Sequence, residues 1–258
     1  YRLWECHRQG KMSAEDGIPT ACTTIEEVGS TGVGALTVAF LILVVSTVVF
    51  LSKANSSGVQ RKYYYLSTYI CGFAAMAYFA MLSGQGWTAI AGCRQFFYAR
   101  YVDWAITTPL ILVDLALLSR TDTPTILTLV GCDLLMVITG LIGALTVAPY
   151  KYCWWVAGLA FFIIVVTTLI GRLNNAEGYG GEALKGLSWL TIISWIVYPV
   201  VWIVGSEGTG ALGLSQEVGI ITLTDLVSKL GFGFYLLANL EAPGVDEEPL
   251  NTSSQQYV

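Results

Sequence analysis

The chain has 258 residues, of which 55% are hydrophobic and 12% charged, about half the charged share of a water-soluble domain. Together with several apolar runs of about twenty residues, this excludes a soluble globule, a disordered chain, a disulfide scaffold and a collagen-like repeat, and leaves an integral membrane protein. A net charge of −5 argues against nucleic acid as a partner.

Residues 1–28 are polar and mostly acidic, and are expected outside the membrane. No cleavable signal-peptide pattern precedes the first apolar run, and the chain opens on Tyr1, as a trimmed or processed chain would. A first span is expected from Gly29 to Leu51, then a polar loop to Lys62 and a second span ending near Ser83. The Gly-rich connection that follows, with Trp87 and Cys93, has room for a short hairpin. Further spans are expected from Gln95 to Ser119, Pro124 to Val147, Tyr152 to Arg172, Gly186 to Gly205 and Leu214 to Leu240, before an acidic, Ser-rich tail. Asn174 to Lys185 reads as a polar loop. Only helices or closed barrels satisfy their backbone in lipid, so seven spans of helical length give one all-α seven-helix bundle.

Seven is odd, so the termini lie on opposite sides. Loops on the side of the first connection carry Lys53, Arg61, Lys62, Arg120, Arg172 and Lys185, and the connecting loops opposite carry only Arg94 and Lys151. The positive-inside rule therefore places the C-terminus in the cytoplasm and the N-terminus outside. This divides the chain into an extracellular segment 1–28, a transmembrane domain 29–240 and a cytoplasmic tail 241–258. The Asn55 and Asn251 sequons then fall inside the cell and read as chance matches. Gly178-Tyr-Gly180-Gly181 follows a membrane helix and lacks the Lys-Ser/Thr ending of a phosphate loop. Cys71, Cys132 and Cys153 read as small buried hydrophobes. Cys6 and Cys22 are free to bridge each other or a neighbouring chain, and no spacing forms a metal site. The single histidine, His7, reads as a solvated residue.

Charges at bilayer depth are costly and mark function by default. Here they are Arg100, Asp103 and Asp114 in span three, Asp133 in span four, and Asp225 and Lys229 in span seven. Asp225 and Lys229 are four apart and share a helical face, as do Arg100, Asp103 and Thr107. Asp114 is eleven residues beyond Asp103, nearly a whole number of turns, so both point one way at ~16 Å separation. Two carboxylates so placed read as stations on a proton path. An intramembrane Asp–Lys pair can simply neutralise itself. A buried lysine is also a Schiff-base nucleophile, and Trp104, Trp155, Trp195, Tyr198 and Trp202 at mid-span suit a flat, apolar ligand.

The stretch Arg100-Tyr-Val-Asp103-Trp104-Ala-Ile-Thr107-Thr108-Pro109-Leu-Ile-Leu-Val-Asp114 closely resembles the third helix of microbial rhodopsins of the bacteriorhodopsin type. Asp225-Leu-Val-Ser-Lys229 resembles their retinal-attachment segment, and Trp195-Ile-Val-Tyr198-Pro199-Val-Val-Trp202 with Gly205-Ser-Glu207-Gly resembles the sixth helix and its following loop. The run Phe97-Tyr-Ala-Arg100-Tyr-Val-Asp103-Trp104 is also similar to algal pumps. The resemblance extends over residues 30–240.

It implies a light-driven outward proton pump, a transporter and not an enzyme, with all-trans retinal bound to Lys229 as a protonated Schiff base. Asp103 is then the proton acceptor, Asp225 a second counter-ion and Arg100 part of the same charge cluster, with Thr107 hydrogen-bonding Asp103. Asp114 is the implied proton donor from the inside, held by Ser67. Glu207 and Glu217 match the proton-release pair, although two acids near an outer loop also read as solvated surface. Asp133 is implied as a protonated structural acid bonded to Thr108. The implied retinal pocket comprises Tyr101, Trp104, Thr108, Ile111, Met136, Gly140, Trp155, Gly158, Phe162, Trp195, Tyr198, Pro199, Trp202 and Ser228, with Tyr78 at the counter-ions. Gly158, Phe162 and Ser228 depart from the archaeal Ser, Met and Ala, and Cys71 replaces a helix-two proline. Asp103, Thr107 and Asp114 together form the proton-pump combination. A retinal photosensor or a light-gated channel on the same fold is the alternative. Similar proteins assemble as dimers and trimers, so a homo-oligomer in the plasma membrane is expected.

Overall fold

The structure, a computed structural model, describes residues 24–54, 60–90, 93–174 and 181–240. Cys6, His7, Cys22, the two sequons, the Gly178-Tyr-Gly180 stretch and the tail 241–258 lie outside them. Among the described residues, seven helices are long and apolar enough to cross a membrane. They are α1 (Ser30–Ala54), α2 (Arg61–Leu82), α3 (Tyr98–Leu118), α4 (Thr123–Leu145), α5 (Tyr150–Asn174), α6 (Gly181–Val204), and α7 (Leu214–Asp225), which continues through a π-helical turn (Leu226–Gly231) into α8 (Phe232–Leu240). The turn and α8 complete the seventh span.

Each helix packs on its sequence neighbours, and α1 closes the ring against α7. The polarity is inverted relative to a soluble bundle. Outward-facing Val45, Met76, Leu127 and Leu223 are each more than 60% exposed, while Asp103, Asp114, Asp133, Asp225 and Lys229 are at most 2% exposed. Lipid rewards the first set, and the second persists inside the ring, where Asp103, Asp225 and Lys229 pair.

One boundary differs from the sequence reading, and the hairpin that reading allowed is formed. Helix α6 begins at Gly181, several residues before Gly186, because Glu182 and Lys185 are good helix formers despite their polarity. The Gly-rich connection is a two-stranded antiparallel hairpin, β1 (Thr88–Ile90) and β2 (Arg94–Phe96). Gly86 anchors its base, since a Cβ there would stand 2.7 Å from Met81 N and 2.8 Å from Ala99 Cβ. Cys93, at the turn with φ +53°, is disulfide-bonded. Glu26 pairs in parallel with Arg94, through Glu26 N to Cys93 O at 2.8 Å and Gln95 N to Glu26 O at 2.9 Å. The start of α1, this hairpin and the α4–α5 and α6–α7 connections share one end of the bundle, the hairpin face.

Candidate functional site

Lys229 sits mid-bundle within the π turn, a widened helical turn often found at functional positions. Its Nζ donates to Asp225 Oδ1 at 2.6 Å and lies 3.2 Å from Asp103 Oδ2 on α3. The two carboxylates are held very differently. Asp225 also accepts from the Tyr198 hydroxyl at 2.7 Å, the Trp104 indole at 3.1 Å and the Tyr78 hydroxyl at 2.8 Å. Beyond its ion pair, Asp103 has no hydrogen bond to either carboxylate oxygen. The Thr107 hydroxyl, expected on that carboxylate, donates instead to the Asp103 main-chain carbonyl at 2.9 Å. This is the bond to the preceding turn that threonine makes within a helix.

An apolar cavity adjoins this cluster. It is lined by every residue named for the pocket except Ile111 and Ser228, with Val137, Leu159, Ile221, Arg100 and Glu207 in addition. Ile111 is fully buried in the helix packing. The Ser228 hydroxyl is 3.1 Å from that of Tyr198, on the counter-ion side. Small residues open the cavity: a Cβ on Gly158 would stand 3.0 Å from Thr139 Oγ1, and one on Gly140 3.4 Å from the Tyr101 ring. Proline fixes one wall, because Pro199 cannot donate within α6, and its own carbonyl accepts from the Trp155 indole at 3.0 Å. Trp104 packs edge-on against Tyr101 and Tyr198, at 5.1 and 4.9 Å between ring centroids.

Towards the hairpin face the cavity meets a second charged cluster. Glu217 Oε1 is 3.3 Å from Arg100 Nη1, and its Oε2 accepts from Ser206 N at 2.8 Å and Ser206 Oγ at 2.6 Å. Gly205 makes this possible, since a Cβ there would stand 2.8 Å from Glu217 Oε2. Glu207 lies 3.8 Å from Arg94 Nη1. Both acids are buried, at 7% and 1% exposure, which corrects the solvated-surface reading: the α6–α7 loop folds back into the bundle mouth. Burial, then the Glu217 charge, pushes the Glu207 carboxyl up to about 7, while Arg94 and Arg100 pull it down. Lys151 ties the loop by donating to the carbonyls of Glu207 and Gly208, at 2.8 and 2.7 Å. Arg94 and Lys151 entered the sequence reading only as orientation markers, and Ser206 only as a letter of a motif.

Towards the opposite face, Asp114 and Ser67 are both buried, and neither has a hydrogen bond within the protein. The expected Ser67–Asp114 bond is not formed, and Ser67 Oγ faces Gly233, 3.4 Å from where a Cβ would stand. Asp133 does meet Thr108: Oδ2 is 2.7 Å from the hydroxyl, which also contacts Trp104 O at 2.6 Å. One hydroxyl proton serves one of these contacts, so both close when Asp133 is the neutral acid.

Comparison with known proteins agrees with this geometry. The model of the family described as bacteriorhodopsin-like protein matches residues 33–242. Archaerhodopsin-2 of Halobacterium sp. is 38% identical over 220 residues, covering 81% of this chain and 85% of that one. Among solved structures, the light-driven proton pump rhodopsin of Coccomyxa subellipsoidea superposes with a TM-score of 0.79 at 27% identity, covering 83% of this chain and 99% of that one. The proton-pumping rhodopsin AR2 of the marine alga Acetabularia acetabulum gives 0.79 at 28% identity, covering 84% and 98%. With seven spans closed around a buried lysine and a match along most of its length, the chain belongs to the bacteriorhodopsin-like family of microbial rhodopsins.

Proposed function

We propose that this protein is a light-driven outward proton pump that carries all-trans retinal on Lys229. One observation supports the reading most: Lys229 Nζ stands between an Asp225 laden with donors and an Asp103 that has none but the lysine. The residues present fit such a group, because an aromatic cavity with Gly140 and Gly158 in its wall is lined by Trp104 and Tyr198, which both bond Asp225, the lysine's partner. Linked to Lys229 as a protonated Schiff base, retinal would supply light absorption and a light-driven change of shape.

The protein's part is to direct a proton. Asp225 accepts four hydrogen bonds, three on Oδ1 and one on Oδ2, and these stabilise its charged form. Asp103 has only the lysine, and the proton moves from Lys229 Nζ to its Oδ2. Neutralising Asp103 removes a negative charge from the field of Arg100, which turns its attraction wholly to Glu217. The exit pair then loses a proton to the hairpin face, which the distribution of Lys and Arg places outside. Asp114 sits where a charge would be unpaired, so it stores a proton as the neutral acid and later returns it to Lys229. In this reading 29–240 is the retinal-binding transmembrane domain between an extracellular 1–28 and a cytoplasmic 241–258. The chain assembles as a homodimer or homotrimer in the plasma membrane.

The test is light-induced pH change in unbuffered cells supplied with retinal, repeated with a protonophore. Outward acidification abolished by the protonophore is the expected result. A coloured protein that moves no protons would overturn the pump, and passive current that reverses with voltage would replace it with a channel.

A further inference from the structure

Glu207 and Glu217 are unequally held. Glu217 accepts from Arg100 and twice from Ser206, whereas Glu207 has one arginine at 3.8 Å and a Ser206 hydroxyl at 3.4 Å that is already directed at Glu217. That arginine, Arg94, belongs neither to α3 nor to the loop that carries the acid. It projects from β2, is only 12% exposed, and donates to Ser206 Oγ at 3.0 Å. Its strand is gripped from the far side by the main chain of Glu26, so its position is set by backbone pairing.

We propose that Arg94 is a positioning residue that sets the external pH at which Glu207 gives up its proton, with the Glu26 segment fixing where its guanidinium stands. The inference rests on the pump reading for its consequence in transport, but its geometry concerns the exit acid alone. Among the described residues, the titratable groups facing Glu207 are Arg94 from β2, Arg100 and the Tyr101 hydroxyl from α3, Glu217 from α7 and Lys151 from α5, its ammonium on the loop carbonyls. Arg100 is already paired with Glu217 and Lys151 with backbone, so Arg94 is the cation that answers to Glu207. Removing it leaves Arg100 as the remaining cation against burial and the Glu217 charge at Glu207, and the acid keeps its proton to higher pH.

The test is the pH titration of the protonated Glu207 carboxyl band in the infrared, identified by its absence in Glu207→Gln, on dark, retinal-loaded protein. It is paired with flash-induced proton release followed by a pH dye. Arg94→Gln should move both the band's midpoint and the pH of early release upward by about one unit or more. Arg94→Lys, which keeps a charge, should return most of that shift. An unmoved band midpoint in fully coloured Arg94→Gln would overturn the inference, as would Arg94→Lys shifting as far as the glutamine. If Arg94→Gln does not accumulate, Ser206→Ala stands in: loss of the hydroxyl that anchors the guanidinium at 3.0 Å should shift the midpoint, and an unmoved midpoint overturns the inference. A band midpoint that moves in Arg94→Gln while the wild-type protein releases no proton on a flash would sink the pump reading and leave Arg94's hold on Glu207 intact.

Discussion

On the hairpin side of Lys229 three acids meet donors from the protein, Asp225 with two tyrosines and a tryptophan, Glu217 with Arg100 and Ser206, and Glu207 with Arg94, while Asp103 has the lysine alone. On the other side Asp114, Ser67 and Thr191 are buried without a hydrogen bond within the protein. The same bundle thus contains a connected half and an unconnected half. In a medium of low dielectric, a charge that moves in the connected half is felt by its neighbours at once. A charge in the unconnected half has no partner to stabilise it, so that half is a barrier until the helices move. In the proposed pump this contrast sets the direction: a proton leaving Lys229 meets partnered carboxylates towards the hairpin face and an unpartnered Asp114 towards the other.

The largest effect tests the junction. Lys229→Ala should abolish colour with added retinal altogether, read by absorbance, and should leave two buried carboxylates without their cation at a cost of about 3–5 kcal/mol. Asp103→Asn should keep colour but lower flash-induced proton release by about 100-fold or more, since it deletes the acceptor. Asp114→Asn acts in the unconnected half and should spare release while slowing recovery of the dark state by about 100-fold. Equal delay of release and recovery in Asp114→Asn would break the contrast between the halves.

Most of the first half of this picture could be read from the chain. Apolar runs of membrane length set the seven spans, and the spacing of Asp103, Asp114, Asp225 and Lys229 put them on inward faces, because a 3.6-residue period leaves few alternatives. What spacing cannot encode is which donors a carboxylate ends with. Thr107 bonding backbone and Ser67 facing Gly233 are decided by side-chain rotation and interhelical distance, below the resolution of a periodicity argument. Arg94 escaped for another reason. It lies on a three-residue strand whose partner strand and distant Glu26 fix its aim, and contacts so far apart in sequence leave no local pattern. The hairpin itself was anticipated from its glycines; its role as a platform for a cation was not.

A moderate effect is expected at the connected end. In Gly205→Ala the new Cβ would stand 2.5 Å from Val201 O and 2.8 Å from Glu217 Oε2, and only the carboxylate is free to give way. Moving it breaks the Ser206 contacts that hold the exit pair together. The variant should lose about 1–3 kcal/mol of stability and release its proton later, with the rise of the Asp103-dependent step unchanged. Release on the wild-type timescale would show that the exit pair tolerates separation.

The smallest effect comes from an arginine–carboxylate pair at the opposite end. Asp122 caps α4, accepting from Thr125 N at 3.2 Å, and pairs with Arg172 of α5. Chemically this repeats Arg94 with Glu207, but the Asp122 side chain is 53% exposed against 7% for Glu207, and water screens such pairs to little net value. Hydrogen bonds from Thr125, then from Arg172, hold the Asp122 carboxyl below its ordinary range. The sign follows from linkage: a lowered native value contributes stability that is full above the ordinary carboxylate range and is lost as pH falls through the lowered one. Arg172→Gln should therefore reduce thermal stability slightly at neutral pH, and the difference from wild type should vanish in strong acid. Salt should shrink it as well, whereas the Arg94→Gln shift should be nearly salt-independent because its pair is buried. If salt erases both shifts alike, burial is not what separates the two arginines, and the contrast between the ends of the bundle fails at its most direct point.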